Sequence, residues 1–346
     1  MERSALYRTA ATVLILAGIT VGLYISQGIL LPLLFAGLFA LLLHPVDQWI
    51  RDRTGQPWLG VTVASLVLIV VFVGLVGALI WQIGLVAEDT QTIKTQLAEA
   101  EDTGRTYITE RLGFSNQQLE KGLENLLSQT ESTANAFLGN ATGLIGNMFL
   151  TLVYFILFLF QKDRFKAFFY RIYPHHHEPS GKYLLQQTNH IARRYLVGKV
   201  VVLLVLSALY YVGFLLIGLR FALLVALLAG VASIVPYLGN IVGGGIAMLI
   251  AIVFGDVNQA LWVVAVISVA QILESYVLTP LIIGDEVGLN PWATVICIVV
   301  LGVLWGVGGA IIALPLMGIV NEFFKAHEPT RHIGFLLGQD ETSRTE

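Results

Sequence analysis

Between Val200 and Val320 the sequence carries five ionisable side chains, Arg220, Asp256, Glu274, Asp285 and Glu286, in an otherwise largely apolar stretch. Four of them fall at expected turns. Glu274 instead stands well inside the apolar run Gln259 to Ile283, with Gln271 one helical turn earlier on the same face and Ser275 adjacent. An ionisable group in hydrocarbon costs at least about 2.5 kcal/mol, so it faces a polar cavity or a partner. A carboxyl so placed can bind a proton, pair with a cation or hydrogen-bond a polar solute, while Gln271 and Ser275 supply both donors and acceptors. The structural alternative is a neutral Glu274 that ties two helices together.

Two sets of turn residues complete the candidate site. Pro236, Tyr237, Leu238, Gly239 and Asn240 interrupt one apolar stretch, and Gly306, Val307, Gly308 and Gly309 interrupt another. Asn240 at the first tip could meet Gln271 and hydrogen-bond a polar solute, or serve as an ordinary turn residue. Pro280, Pro291 and Pro315 read as helix ends or kinks that position a site without doing chemistry. His175, His176 and His177 are consecutive in a charged segment with no second ligand cluster, and read as surface. The single Cys297 excludes an intrachain disulfide and a multi-cysteine metal site. No metal or organic cofactor is expected, beyond coupling to H+ or Na+. His-Glu-x-x-His, Gly-x-Ser-x-Gly and the phosphate-binding Gly-x-x-x-x-Gly-Lys are absent from the sequence, which argues against an intramembrane enzyme and a nucleotide-driven pump.

The elements that hold these residues belong in lipid. The 346 residues are 56% hydrophobic and 12% charged, against about 25% charged in soluble domains. Apolar runs at Leu6 to Ser26, Leu59 to Ala87, Ala141 to Phe160, Val200 to Leu219 and Gln259 to Ile283 are each long enough to cross a core about 30 Å thick. A shorter run, Ile29 to Leu43, follows the first, and the pair is expected as a hairpin. The net charge of −3 and the absence of a polybasic arm give no nucleic-acid signal.

From residue 199 onward one pattern occurs twice: a full span, then an apolar stretch broken by a turn. The arms are Phe221 to Val235 and Ile241 to Phe254 in the first copy, and Trp292 to Leu304 and Ala310 to Val320 in the second. At 11 to 15 residues, or roughly 16 to 22 Å, such arms fall short of a crossing. They are expected as re-entrant hairpins, with short tilted spans as the alternative. The fold class is therefore an all-α polytopic membrane protein of about six full spans plus two re-entrant hairpins, with an inverted span-plus-hairpin repeat in its C-terminal half. Paired interrupted segments of this kind point to a transporter's substrate site.

Basic residues set the expected orientation. Arg3 and Arg8 place the N-terminus inside, Arg51 and Arg53 place the connector His44 to Trp58 inside, and Lys325 and Arg331 return the C-terminus there. Residues 161–198 carry Lys162, Arg164, Lys166, Arg171, Lys182, Arg193 and Arg194, the strongest cytoplasmic signal. Residues 88–140, with nine acidic against four basic residues, are expected outside. There Leu112, Leu119, Leu123 and Leu126 and the capping pair Ser115 and Gln118 suggest two amphipathic helices that break near Gly113. The chain thus divides into N-terminal spans (1–87), an external insert (88–140), a span (141–160), a basic cytoplasmic segment (161–198), a transport core (199–320) and a tail (321–346).

These features together resemble the autoinducer-2 exporter family of bacterial permeases, some of which are linked to sodium/proton antiport. The likeness rests on Pro32, His44-Pro45, the acidic insert, Pro236 to Gly239, Gln271 and Glu274 running into Pro280, Gly284, Leu289-Asn290-Pro291, the glycines at 302, 306, 308 and 309, and Leu314-Pro315. Asn240 departs from the proline expected there. The resemblance implies export of a small polar signalling molecule or ion across the bacterial inner membrane by homo-oligomers, with a pentamer as the candidate assembly, and no role for nucleic acid. Alternating access by the hairpin-bearing half, with Glu274 as binding or coupling group, is the leading reading. A sodium/proton antiporter is the near alternative, and a scaffold or sensor acting through the external helices is the third.

Overall fold

The computed structural model describes residues 2–88, 141–172, 181–235, 238–255, 257–283 and 288–339. Every regular element among them is helical, apart from one antiparallel bridge between Leu289 and Gly338. The helices are α1 (Glu2–Ile25), α2 (Gln27–Thr54), α3 (Pro57–Glu88), α4 (Ala141–Ile172), α5 (Gly181–Leu216), α6 (Ala222–Ala232), α7 (Leu238–Phe254), α8 (Val257–Leu273), α9 (Pro291–Ala326) and α10 (Arg331–Leu337). A π-helical segment, Glu274–Ile283, continues α8. Apart from Glu88, the insert expected over 88–140 lies outside the described residues, as do His175 to His177 and the paired acids Asp285 and Glu286.

Six helical stretches are, by length and composition, long and apolar enough to cross a membrane: Gln27–Thr54, Pro57–Ala78, Ile145–Arg171, Gly181–Leu216, Asn258–Ile283 and Pro291–Ala326, the last of which is two helices that meet at a break at Trp305 and Gly306. The protein is a multi-pass membrane protein. Helix α1 (Glu2–Ile25) covers the expected first span, with Ala11–Ile25 as an apolar stretch within it. Two expectations that follow it need correction. The connector expected over His44 to Trp58 is largely helix, because α2 runs through it and ends only at Gly55. That glycine takes the left-handed conformation (φ 69°) and donates its N–H to the Arg51 carbonyl at 2.8 Å, a C-terminal cap, and Pro57 then opens α3. The turn expected between α1 and α2 shrinks to Ser26. Helical hydrogen bonds run into it (Ser26 N–H to the Gly22 carbonyl, 3.0 Å) and out of it (Leu30 N–H to the Ser26 carbonyl, 2.9 Å), so the joint is a bend.

The chain forms two compact units, one of Met1–Leu68, Asn147–Lys199 and Ile283–Glu346, the other of Ile69–Gly146 and Val200–Ile282. In the first, Leu38, Ala192, Trp305 and Ile312 form a buried cluster flanked by Leu31, Phe35, Leu196 and Leu316. The Trp305 indole N–H donates to the Leu23 carbonyl at 2.9 Å, beside the bend at Ser26, where the i→i−4 ladder is interrupted. Asn290 begins α9 by accepting from the Ala293 N–H at 2.7 Å, and its amide donates to the Leu336 carbonyl at 2.8 Å, which docks α10 on the start of α9.

The second broken stretch lies within α9. Trp305 (φ −127°, ψ 15°) and Gly306 (φ 65°, ψ −152°) leave the helical region, as the glycine-rich sequence predicts. In a straight helix residues eight apart are separated by about 12 Å. Here a Cβ on Gly302 would lie 3.7 Å from that of Ala310, and Gly309 rests on the Leu301 carbonyl, so the chain doubles back. Gly306 occupies a backbone region that is essentially glycine-only, at a cost of about 1–3 kcal/mol for another residue. Its surroundings are open, so space is not the constraint. Gly306→Ala is expected to lower the melting temperature in detergent, whereas Gly302→Ala, where a Cβ meets only ordinary contact, leaves it unchanged. Equal melting of both variants with the parent would show that the turn relaxes freely.

In the second unit, α6 and α7 pack on each other and α7 packs on α8. Close approach depends on absent side chains: Gly243 lies on Ala229, Gly230 on Ser207 and Gly213 on Val266. Phe221 precedes α6 with φ 57°, and its ring meets Phe254 edge-on at 5.8 Å while Arg220 covers Phe254 at 4.8 Å, closing the open end of the pair. Leu238, Gly239 and Asn240, expected in the turn, form the first turn of α7 instead.

Candidate functional site

Glu274 stands where α8 gives way to the π-helical segment. Pro280 lies inside that segment and cannot donate the backbone hydrogen bond a regular α-helix needs. Wider π turns occur mostly where function has a use for the altered side-chain register. Gln271 donates from Nε2 to Ser275 Oγ at 2.7 Å, so three expected site residues are brought together on adjoining turns. Gln271 and Glu274 are half-buried and Ser275 is exposed.

Two residues that the sequence reading missed extend this group. Tyr210 of α5 is wholly buried, with its ring stacked on Phe214 at 5.8 Å, and its hydroxyl is close enough to Glu274 for the carboxylate charge to act on it. The same hydroxyl shares a hydrogen bond with Ser233, just beyond α6. Ser233 Oγ also donates to the Ala229 carbonyl at 2.8 Å. Gly239 rests on Ser233, where any Cβ would overlap the serine side chain. Tyr210 and Ser233 therefore form a buried polar pair within the electrostatic reach of Glu274, and Gly239 in the first turn of α7 packs on that serine. A tyrosine in an apolar span and a serine three residues before Pro236 were the available signals.

The remaining expected residues are placed less directly. The backbone of Asn240 belongs to α7, while its side chain lies outside the described residues, as do Pro236 and Tyr237. Gly306, Gly308 and Gly309 lie in the first unit, with Gly308 against Leu31 and Phe35. Between α7 and α8, Gly244, Gly245, Met248, Leu249, Val264, Ile267 and Ser268 line an open groove of ≈ 510 Å³. Its lining is apolar except for Ser268, one turn before Gln271, so the groove offers a polar solute few partners before that point.

A second charged centre, also missed from the sequence, lies in the first unit. Asp47 is wholly buried, accepts from Arg51 Nε at 2.8 Å and from Lys162 Nζ at 2.7 Å, and lies against Gly60. It joins α2, α3 and α4. Four-residue spacing to Arg51 was visible in the sequence, whereas Lys162 is 115 positions away. Among the described residues no group of three or more His, Cys, Asp or Glu side chains is arranged to hold a metal.

A sequence model of the AI-2E family transporters matches residues 13–328, nearly the whole chain. The chain belongs to the AI-2E transporter family. Relatives of this family member carry provisional names as transport proteins or permeases. PerM of Escherichia coli K12, named as a permease, is 27% identical over 332 residues, covering 92% of each chain. YhhT of the same strain is 25% identical over 344 residues, 96% of this chain and 93% of the relative, and YueF of Bacillus subtilis 168 is 23% identical over 310 residues, 85% and 82%. Both are named as transport proteins. The resemblance read from the residues is thus the family that the AI-2E match shows.

Proposed function

We propose that this AI-2E family member is a secondary transporter that exports a small polar solute, autoinducer-2, from the bacterial cell by alternating access. The observation that carries the reading is the half-buried Glu274 in an apolar span, beside Gln271 and Ser275, which are hydrogen-bonded to each other, and within electrostatic reach of the pair of Tyr210 and Ser233 next to the turn between α6 and α7. A group at depth and near a turn can bind solute or ion and change its partners as the turn moves. Re-entrant placement of α6–α7 and of the two arms of α9, inverted with respect to each other, is part of the proposal. So are cytoplasmic termini, an external segment over 88–140, coupling to H+ or Na+, and a homo-oligomer such as a pentamer.

The test is flux in proteoliposomes that contain the purified full chain and are loaded with the autoinducer-2 furanosyl diol, with an imposed proton or sodium gradient. Gradient-dependent efflux above that of protein-free liposomes is expected. Sodium-dependent proton movement without solute flux would replace the exporter with a sodium/proton antiporter. Absence of both fluxes, in vesicles whose protein remains folded, would favour a scaffold or sensor.

A further inference from the structure

On the first unit, Leu33 of α2 and Tyr154, Leu157, Phe158, Gln161 and Phe165 of α4 line an open groove of ≈ 290 Å³. From Tyr154 to Phe165 it follows α4 for about 16 Å, enough for a large part of an acyl chain. Leu157 and Phe165 are 49% and 45% exposed, so the groove opens to the surface, and over an apolar span that surface is hydrocarbon.

One end of the groove is basic. Residues 161–171 carry Lys162, Arg164, Lys166 and Arg171 against one acid, Asp163. Lys162 is committed to buried Asp47, and Lys166 lies 4.0 Å from Asp163 in an exposed pair of little strength. Arg164 donates through Nη1 to the neutral Oε1 of Gln161 at 3.3 Å, so its charge is not neutralised by that bond. Because Gln161 is also part of the lining, this contact holds the guanidinium at the rim.

We infer that this groove binds one anionic phospholipid, its acyl chain along Leu157 and Phe158 and its phosphate at Arg164. Apolar length and positive charge meet at one rim, a combination that a detergent-like neutral chain or a free anion would use only by half. Basic pockets beside transmembrane helices recognise anionic headgroups for this reason, each cation near the surface contributing about 1 kcal/mol. The inference is independent of the solute that the protein moves.

Native mass spectrometry of the purified full chain, supplied with equal amounts of phosphatidylglycerol and phosphatidylcholine of matched chains, tests it. One retained lipid, with phosphatidylglycerol preferred, is expected. Arg164→Gln lowers that preference about fivefold, the factor one cation near the surface contributes. Leu157→Trp, which fills the groove, lowers retention of both lipids and leaves the preference of the remainder unchanged. Soluble glycerol phosphate does not displace the lipid. Equal retention of the two lipids by the parent, displacement by glycerol phosphate, or unchanged retention in Leu157→Trp together with unchanged preference in Arg164→Gln would overturn the assignment. Each variant is compared only where its elution volume and melting temperature match the parent, and the two act on different halves of the site.

Discussion

Asp47→Ala is expected to lower the melting temperature of the detergent-solubilised protein by several degrees and to reduce the folded yield. The Asp47 side chain is 0% exposed, while Arg51 and Lys162 retain 20% and 15%. Removing one member of a fully buried pair costs about 3–5 kcal/mol, because the partner charge is left without compensation. Here the stranded cations keep some access to water, which reduces the loss to about 2 kcal/mol. Asp47→Asn, which keeps an acceptor but not the charge, should fall between alanine and the parent. Lys162→Met should be milder still, since Asp47 then retains Arg51. Gly60→Ala offers an independent probe: its Cβ would lie 2.5 Å from Asp47 Oδ1 and 2.6 Å from the Asp47 carbonyl, so the three-helix junction must open to admit it. Melting followed by tryptophan fluorescence reads all four. If Asp47→Ala melted with the parent, the triad would not be what holds the ends of α2 and α4 together.

That junction also shows where sequence reading succeeds and where it stops. Apolar length located the spans from α3 through α8, because only long apolar runs survive in hydrocarbon. The glycines at 306, 308 and 309 announced the break in α9, since the conformation at Gly306 excludes other residues. Gln271 and Ser275 were legible because helical spacing alone makes them neighbours. By contrast, α2 continues through Asp47, Arg51 and Arg53, and a polar helix end looks like a loop when hydropathy is the guide. Tyr210, Ser233 and Glu274 come from three separate elements, and Asp47 finds Lys162 across 115 positions, so only tertiary packing could reveal either group. The short joint at Ser26 was missed for a related reason: a bend and a reversal have the same local composition.

Glu274→Gln is expected to reduce gradient-driven flux at least about tenfold without changing the melting temperature by more than a degree or two. Glutamine preserves shape and the capacity to hydrogen-bond, so what is lost is the charge and the exchangeable proton. A hydrogen bond to a charged group contributes about 1.5–3 kcal/mol, which as a barrier corresponds to a factor of about ten or more. Tyr210→Phe keeps the stack on Phe214 and leaves Ser233 bonded to Ala229, but removes the hydrogen bond between the tyrosine hydroxyl and Ser233. Its cost should be about 1 kcal/mol, or roughly fivefold in flux. If the three residues act as one path, the double variant Glu274→Gln with Tyr210→Phe is no slower than Glu274→Gln alone, because the tyrosine no longer has a charge to relay. Additive losses would instead make Tyr210 a packing residue. Undiminished flux in Glu274→Gln would exclude this carboxyl as binding or coupling group and leave the turn residues, Gly239 with Asn240 or Gly306 to Gly309, as the remaining candidates, since backbone groups without a helical partner can meet a polar solute.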